Sequence, residues 1–122
     1  MKNLSVMILA HEKDLTYLLK DVLAFNGFNV RATNNPDEAL LGLGSEKYDV
    51  FITNYLMKGK KVLPVIQQIR HAMKLQEMKI IVLTYMDLGD EELSQLGQEN
   101  VVYLKKPVLP NEFVLKIEGL FS

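Results

Sequence analysis

The chain has no cysteine among its 122 residues, which excludes a disulfide framework and any thiolate-held metal. Its six methionines form no soft-metal cluster at recognisable spacing. Net charge is nearly absent as well: 14 Lys and Arg against 15 Asp and Glu leave −1, with the signs interspersed, so neither nucleic acid nor an anionic membrane surface is an expected partner. The apolar run after Met1-Lys2-Asn3 is only about seven residues long, lacks a small-residue cleavage pattern, and falls far short of the ~20 residues of a membrane span. A soluble, cytoplasmic domain is expected. Also missing are a glycine-rich phosphate loop after the first apolar run, a Ser-His-Asp set and a pair of acids placed for general catalysis. Nucleotide binding, an enzymatic role and a resident cofactor are therefore all disfavoured.

What is present is one domain, 1–122, of short apolar runs alternating with helical periodicity, centred on Tyr48-Asp49-Val50-Phe51-Ile52-Thr53-Asn54. That run reads as a buried strand delivering Asn54 to the lysine- and glycine-containing loop Tyr55 to Lys61. Upstream, Leu4 to Leu9 suits a central strand covered on both faces. From Glu12 the spacing turns helical, with Leu15, Leu18, Leu19, Val22 and Leu23 on one stripe and Lys13, Asp14, Lys20 and Asp21 opposite, until Asn26-Gly27. Phe28 to Thr33 alternates as an edge strand does. Asn35 caps a second helix with Pro36 in its first position and Asp37 and Glu38 near the positive end of the dipole. Fraying is expected near Gly42 and Gly44.

Downstream, Val62, Val65, Ile66, Ile69 and Met73 predict a third helix and Lys79 to Thr84 another buried strand. Asp87 to Gln98 reads as a weaker helix with Leu88, Leu93 and Leu96 inward. Val101 to Leu104 is the last strand, and Pro110 opens a final helix with Phe113, Ile117, Leu120 and Phe121 inward. Five strand-then-helix repeats require parallel pairing with right-handed crossovers. The expected fold is α/β, a flavodoxin-like doubly wound sheet of five parallel strands in the order 2-1-3-4-5, with its cleft beyond the ends of the first and third strands. Ala10, His11, Glu12, Asn54, Thr84 and Lys106 converge there.

Those six positions, with Gly27 and Lys106-Pro107, make the whole chain resemble the CheY-like receiver domain of two-component response regulators. The resemblance implies an acidic pair after the first strand and an aspartate after the third that hold Mg²⁺, the aspartate accepting a phosphoryl group from a histidine kinase. Thr84, Tyr103, Lys106 and Pro107 resemble the family's hydroxyl residue, switch aromatic, lysine and proline. Asn54, however, stands at the phosphoacceptor position, and Ala10-His11 where the acidic pair is expected. Lys58 replaces a common proline, and Val62 a common glycine.

The chemistry of those departures stands without the family. A carboxamide oxygen is neutral and gives no stable acyl phosphate, so Asn54 is not an acceptor. Magnesium needs hard anionic oxygens, and this rim offers only Glu12. Lys106 is free to pair with Glu12 or donate to Asn54, which predicts a neutral, satisfied cleft. Tyr85 either lies over the cleft as a lid or points outward. Thr84 and Lys106 are read as structural, the first capping a strand end. His11, a lone histidine at a strand end, is read as neither a metal ligand nor a switch, His71 as solvent-facing on its helix, and Lys58-Gly59-Lys60-Lys61 as a solvated face. Asp49 lies at the far end of its strand from Asn54.

The function expected is that of an atypical, phosphorylation-independent receiver, a protein-interaction module with neither catalytic nor metal residues. The resemblance implies a contact surface on the fourth helix, last strand and last helix, including Gln95, Tyr103, Lys105 and Glu112. It would serve a protein partner, an output domain or a homodimer. The alternative is a regulatory domain binding a small carboxylate or phosphate-bearing ligand in the cleft.

Overall fold

The computed structural model describes residues 3–121, apart from the side chains of Asp14 and Leu15. The inward placement expected for Leu15 and the outward one for Asp14 therefore lie outside the described residues, as do the ends of the span 1–122. Strands β1 (Ser5–Leu9), β2 (Asn29–Thr33) and β3 (Val50–Asn54) are followed by a two-stranded hairpin of β4 (Leu56–Met57) and β5 (Lys60–Lys61), then by β6 (Lys79–Thr84) and β7 (Val101–Lys105). Helices α1 (Lys13–Phe25), α2 (Pro36–Ser45), α3 (Leu63–Gln67), α4 (Asp90–Gln98) and α5 (Pro110–Gly119) cover the sheet.

The main sheet is parallel throughout, in the order β2-β1-β3-β6-β7. With the hairpin set aside, this is the expected 2-1-3-4-5 order. The period-two pattern of the strands divides the core into two layers. Met7, Leu9, Phe51, Ile80 and Val82 meet Ala39 and Leu43 of α2, Ile66 of α3 and Leu96 of α4. Val6, Ile8, Val50, Ile52, Ile81 and Leu83 meet Leu19 and Leu23 of α1 and Phe113, Val114 and Ile117 of α5. Each such side chain contributes roughly 1.5–3 kcal/mol by leaving water. Asp49 fixes the register at the end remote from Asn54: its Oδ2 accepts from the Ser5 amide at 2.8 Å and its carbonyl from the Lys79 amide at 3.0 Å.

Several expectations are corrected. Leu18 is 47% exposed; it precedes Leu19 by about 100° around the helix, on the edge of the stripe, where no element covers it. Leu93 is exposed too, because the first turn of α4 carries Asp90, Glu91 and Glu92 outward and the helix meets the core through Leu96. That helix starts at Asp90 rather than Asp87, with Gly89 as its cap and the Glu92 carboxylate accepting from the Gly89 amide at 3.1 Å. Nor does α2 fray at Gly42: the helix runs to Ser45, and a Cβ on Gly42 would lie 2.7 Å from Met7 Cε, so the missing side chain lets the helix close on β1. The loop Tyr55 to Lys61 is a hairpin, and α3 passes into a π-helical turn, Gln68–Ala72, in which the Met73 amide donates to the Gln68 carbonyl.

Candidate functional site

Parallel register brings four strand ends to one edge. Leu9 pairs with Thr53, Asn54 with Leu83 and Thr84 with Lys105, so Ala10, Asn54, Thr84 and Lys106 lie within two residues of one another in register. His11, Glu12, Asn54, Leu56, Leu83, Thr84, Tyr85, Met86 and Lys106 line a cleft of about 210 Å³. Five of the six expected residues share this cleft; Ala10 lies beneath it in the core.

Lys106 Nζ donates to Glu12 Oε1 at 2.6 Å, with the lysine side chain 5% exposed and the glutamate 33%. The same ammonium lies 5.0 Å from the centroid of the Tyr85 ring, a cation–π distance. Tyr85 is nonetheless 64% exposed, so one ring face meets Lys106 while much of the side chain remains in water. The Lys106–Pro107 peptide bond is cis.

Asn54 is 3% exposed, and neither its Oδ1 nor its Nδ2 has a hydrogen-bond partner among the described residues. The expected satisfied cleft is thus satisfied only at Lys106 and Glu12; the short carboxamide is left over once lysine and carboxylate pair directly. The donor set is a poor match for Mg²⁺. His11 is an exposed imidazole, Ala10 offers no side-chain ligand, Asn54 is neutral, and the one carboxylate is already held by an ammonium.

Thr84 turns its hydroxyl to its own loop, accepting from the Met86 amide at 3.1 Å, while its carbonyl accepts from the Lys106 amide at 2.7 Å. Met86 is held again by Tyr103, whose hydroxyl donates to the Met86 carbonyl at 2.9 Å. Beside it Lys105 Nζ lies 2.6 Å from Asp87 Oδ1, and that hydrogen bond and charge raise the Lys105 pKa above the usual lysine value. The segment from Tyr85 to Gly89 is therefore tied to β7 at two points and touches Lys106 at a third. Gln95 is half-buried on α4, and Glu112 is exposed on the first turn of α5. With Tyr103 and Lys105 they lie on the three elements expected to form a contact surface.

Sequence reasoning missed a second polar centre, at the opposite end of the sheet. Arg70 is 2% exposed and donates to four carbonyls: Leu75 at 2.6 Å, Met78 at 2.8 Å, Glu99 at 2.9 Å and Asn100 at 3.3 Å. Burial lowers the guanidinium pKa, opposed by the charge of Glu99. His71 is exposed, as expected, yet its Nε2 lies 2.8 Å from Glu99 Oε1. The one available signal was a lone arginine at helical spacing beside Ile66, Ile69 and Met73.

The family model of the response regulator receiver domain matches residues 6–118. The response regulator MprA of Mycobacterium leprae is 29% identical over 102 residues, covering 84% of this chain and 44% of the relative. The transcriptional regulatory protein CpxR of Klebsiella pneumoniae is 27% identical over 117 residues, covering 94% of this chain and 48% of the relative. The chain spans about half the length of the curated relatives it matches. Among solved structures, the chemotaxis response regulator CheY4 of Vibrio cholerae superposes with a TM-score of 0.86 at 17% identity, over 98% of this chain and 99% of that one; at that identity the likeness concerns the fold.

Proposed function

The chain belongs to the receiver domain family of response regulators, and we propose that within it this domain signals without phosphorylation, as a non-enzymatic protein-interaction module. The observation that carries this reading is the uncharged Asn54 at the end of β3, beside a single carboxylate already held at 2.6 Å by Lys106. Without an anionic oxygen at residue 54 there is no nucleophile for a phosphoryl group. Without a second free carboxylate there is little to draw a divalent cation. Tyr85 acts as a lid on the Lys106 side of the cleft. The contact surface is that of α4, β7 and α5, with Gln95, Tyr103, Lys105 and Glu112, and it meets an output domain, another protein or a second copy. Incubation with acetyl phosphate and Mg²⁺ followed by intact mass measurement tests this: the mass stays unchanged, and a stable phospho-adduct at residue 54 overturns the reading.

A second reading, a regulatory pocket for a small ligand, is favoured by the buried Asn54 carboxamide, which has no partner among the described residues for either polar atom. Lys106, Thr84 and Asn54 together suit a carboxylate or phosphate group. A thermal-shift screen of small carboxylates and phosphate esters separates the two readings, since a specific ligand raises the melting temperature by mass action.

A further inference from the structure

Immediately beyond Asn54 and Tyr55 the chain forms the β4–β5 hairpin, Leu56 pairing with Lys61 and Met57 with Lys60. Its turn has positive φ at both central residues, 52° at Lys58 and 78° at Gly59. That conformation favours Asn, Asp or Gly in the first place, and a lysine there is strained. Strain retained at an exposed position points to a use for the side chain. Lys58, Lys60 and Lys61 are all exposed, and none has an acidic partner among the described residues, whereas Lys105 and Lys106 are both paired. In α2, Glu38 Oε2 accepts from the Thr33 hydroxyl at 2.8 Å.

The lysines stand over two adjoining recesses. One, about 450 Å³, is walled by Leu9, Pro36, Met57, Val62, Pro64 and Val65, with Lys60 and Lys61 on its rim. The other, about 300 Å³, shares Pro36, Met57 and Lys60 and adds Lys58 with Asn34 and Asn35. An apolar hollow continuous with a cationic, amide-lined one matches a chain whose side chains alternate between apolar and acidic. Nucleic acid fits less well, because the hairpin from Leu56 to Lys61 carries no aromatic ring on which a base would stack and the net charge is −1.

We propose that the hairpin and its groove dock an acidic peptide segment of a partner protein, an aliphatic or aromatic anchor entering beside Met57 and Val65 and flanking carboxylates meeting Lys58, Lys60 and Lys61. This surface is separate from that of α4, β7 and α5. Its binding energy comes from the buried anchor, and the lysines select acidic partners and speed encounter.

The test is NMR titration of the ¹⁵N-labelled chain with a panel of short peptides carrying glutamates around a Leu-Phe pair. Controls replace the glutamates by lysine or the Leu-Phe pair by serine. Saturable shifts confined to the amides of Asn34, Asn35 and residues 56–63 and 65, lost with both controls and weakened ~tenfold in the Lys58→Gln, Lys60→Gln, Lys61→Gln variant, support the proposal. A Val65→Asp variant, checked for native dispersion, loses the anchor site as well. The proposal is overturned if no peptide shifts these residues, if shifts map elsewhere, or if the triple variant binds unchanged. Oleate binding in the groove without any peptide response also overturns it, as does concentration-dependent self-association through the same residues.

Discussion

Lys106 donates to Glu12 across 2.6 Å from a side chain only 5% exposed, while Glu12 keeps 33% of its own side chain in water. The two partners are thus unequally dependent on the contact. Removing the carboxylate leaves a buried ammonium without its anionic partner, beside the Tyr85 ring, whereas removing the ammonium leaves a carboxylate that solvent already reaches. Glu12→Ala is expected to cost about 2–3 kcal/mol, and Lys106→Met less than about 1 kcal/mol. Urea unfolding of both variants measures the asymmetry; equal losses would show that the pair is effectively a surface contact.

Asn54→Asp places a carboxylate at the end of β3 and still leaves Ala10 and His11 where a cation would need oxygen ligands. The single variant is expected to remain unlabelled by acetyl phosphate with Mg²⁺, and the combination Ala10→Asp, His11→Asp, Asn54→Asp to gain labelling. Intact mass is the readout, and robust Mg²⁺-dependent labelling of the single variant would contradict the account of the donor set.

Strand order and the meeting of Glu12, Asn54, Thr84 and Lys106 were legible because buried parallel strands announce themselves as apolar runs ending in polar residues, and the topology then dictates which ends adjoin. The β4–β5 hairpin was not legible: two-residue strands have no period to read, and Lys-Gly lacks the Asn or Asp that signals a type I′ turn. The π-turn at Gln68–Ala72 was hidden for another reason. Its cause is tertiary, since the turn holds Arg70, whose partners are carbonyls from residue 75 to residue 100. Leu18 was misplaced because a leucine at the edge of a helical stripe is buried only where a neighbour happens to cover it.

Arg70 ties the segment before β6 to the turn before β7, using Nε and both terminal nitrogens at once. A lysine gathers its donors on one nitrogen and lacks the planar fork that reaches all four carbonyls. Arg70→Lys is expected to cost about 3 kcal/mol by leaving buried carbonyls unpaired. Hydrogen exchange should accelerate first at the amides near residues 75–78 and 99–100.

Two helical glycines should respond differently to alanine. At Gly97 a Cβ would meet nothing within 4 Å, so Gly97→Ala is expected to stabilise by about 0.5–1 kcal/mol through a less flexible unfolded chain. At Gly42 the same methyl would displace the buried Met7 side chain, offsetting that gain. Thermal unfolding should show a raised midpoint for Gly97→Ala alone.

Lys58 is the position where stability and the proposed docking surface are opposed. Its φ of 52° lies in the left-handed region, which costs a lysine roughly 1 kcal/mol and an asparagine less, because a short polar side chain hydrogen-bonds locally there. The ammonium recovers none of this through an ion pair, as no acid is paired with it among the described residues. Lys58→Asn is therefore expected to raise stability by about 0.5–1 kcal/mol in denaturant titration while weakening acidic peptides, with a shallower salt dependence of their affinity. If the asparagine variant is no more stable, the hairpin imposes no strain on this lysine, and the conformational reason for assigning it a binding role disappears.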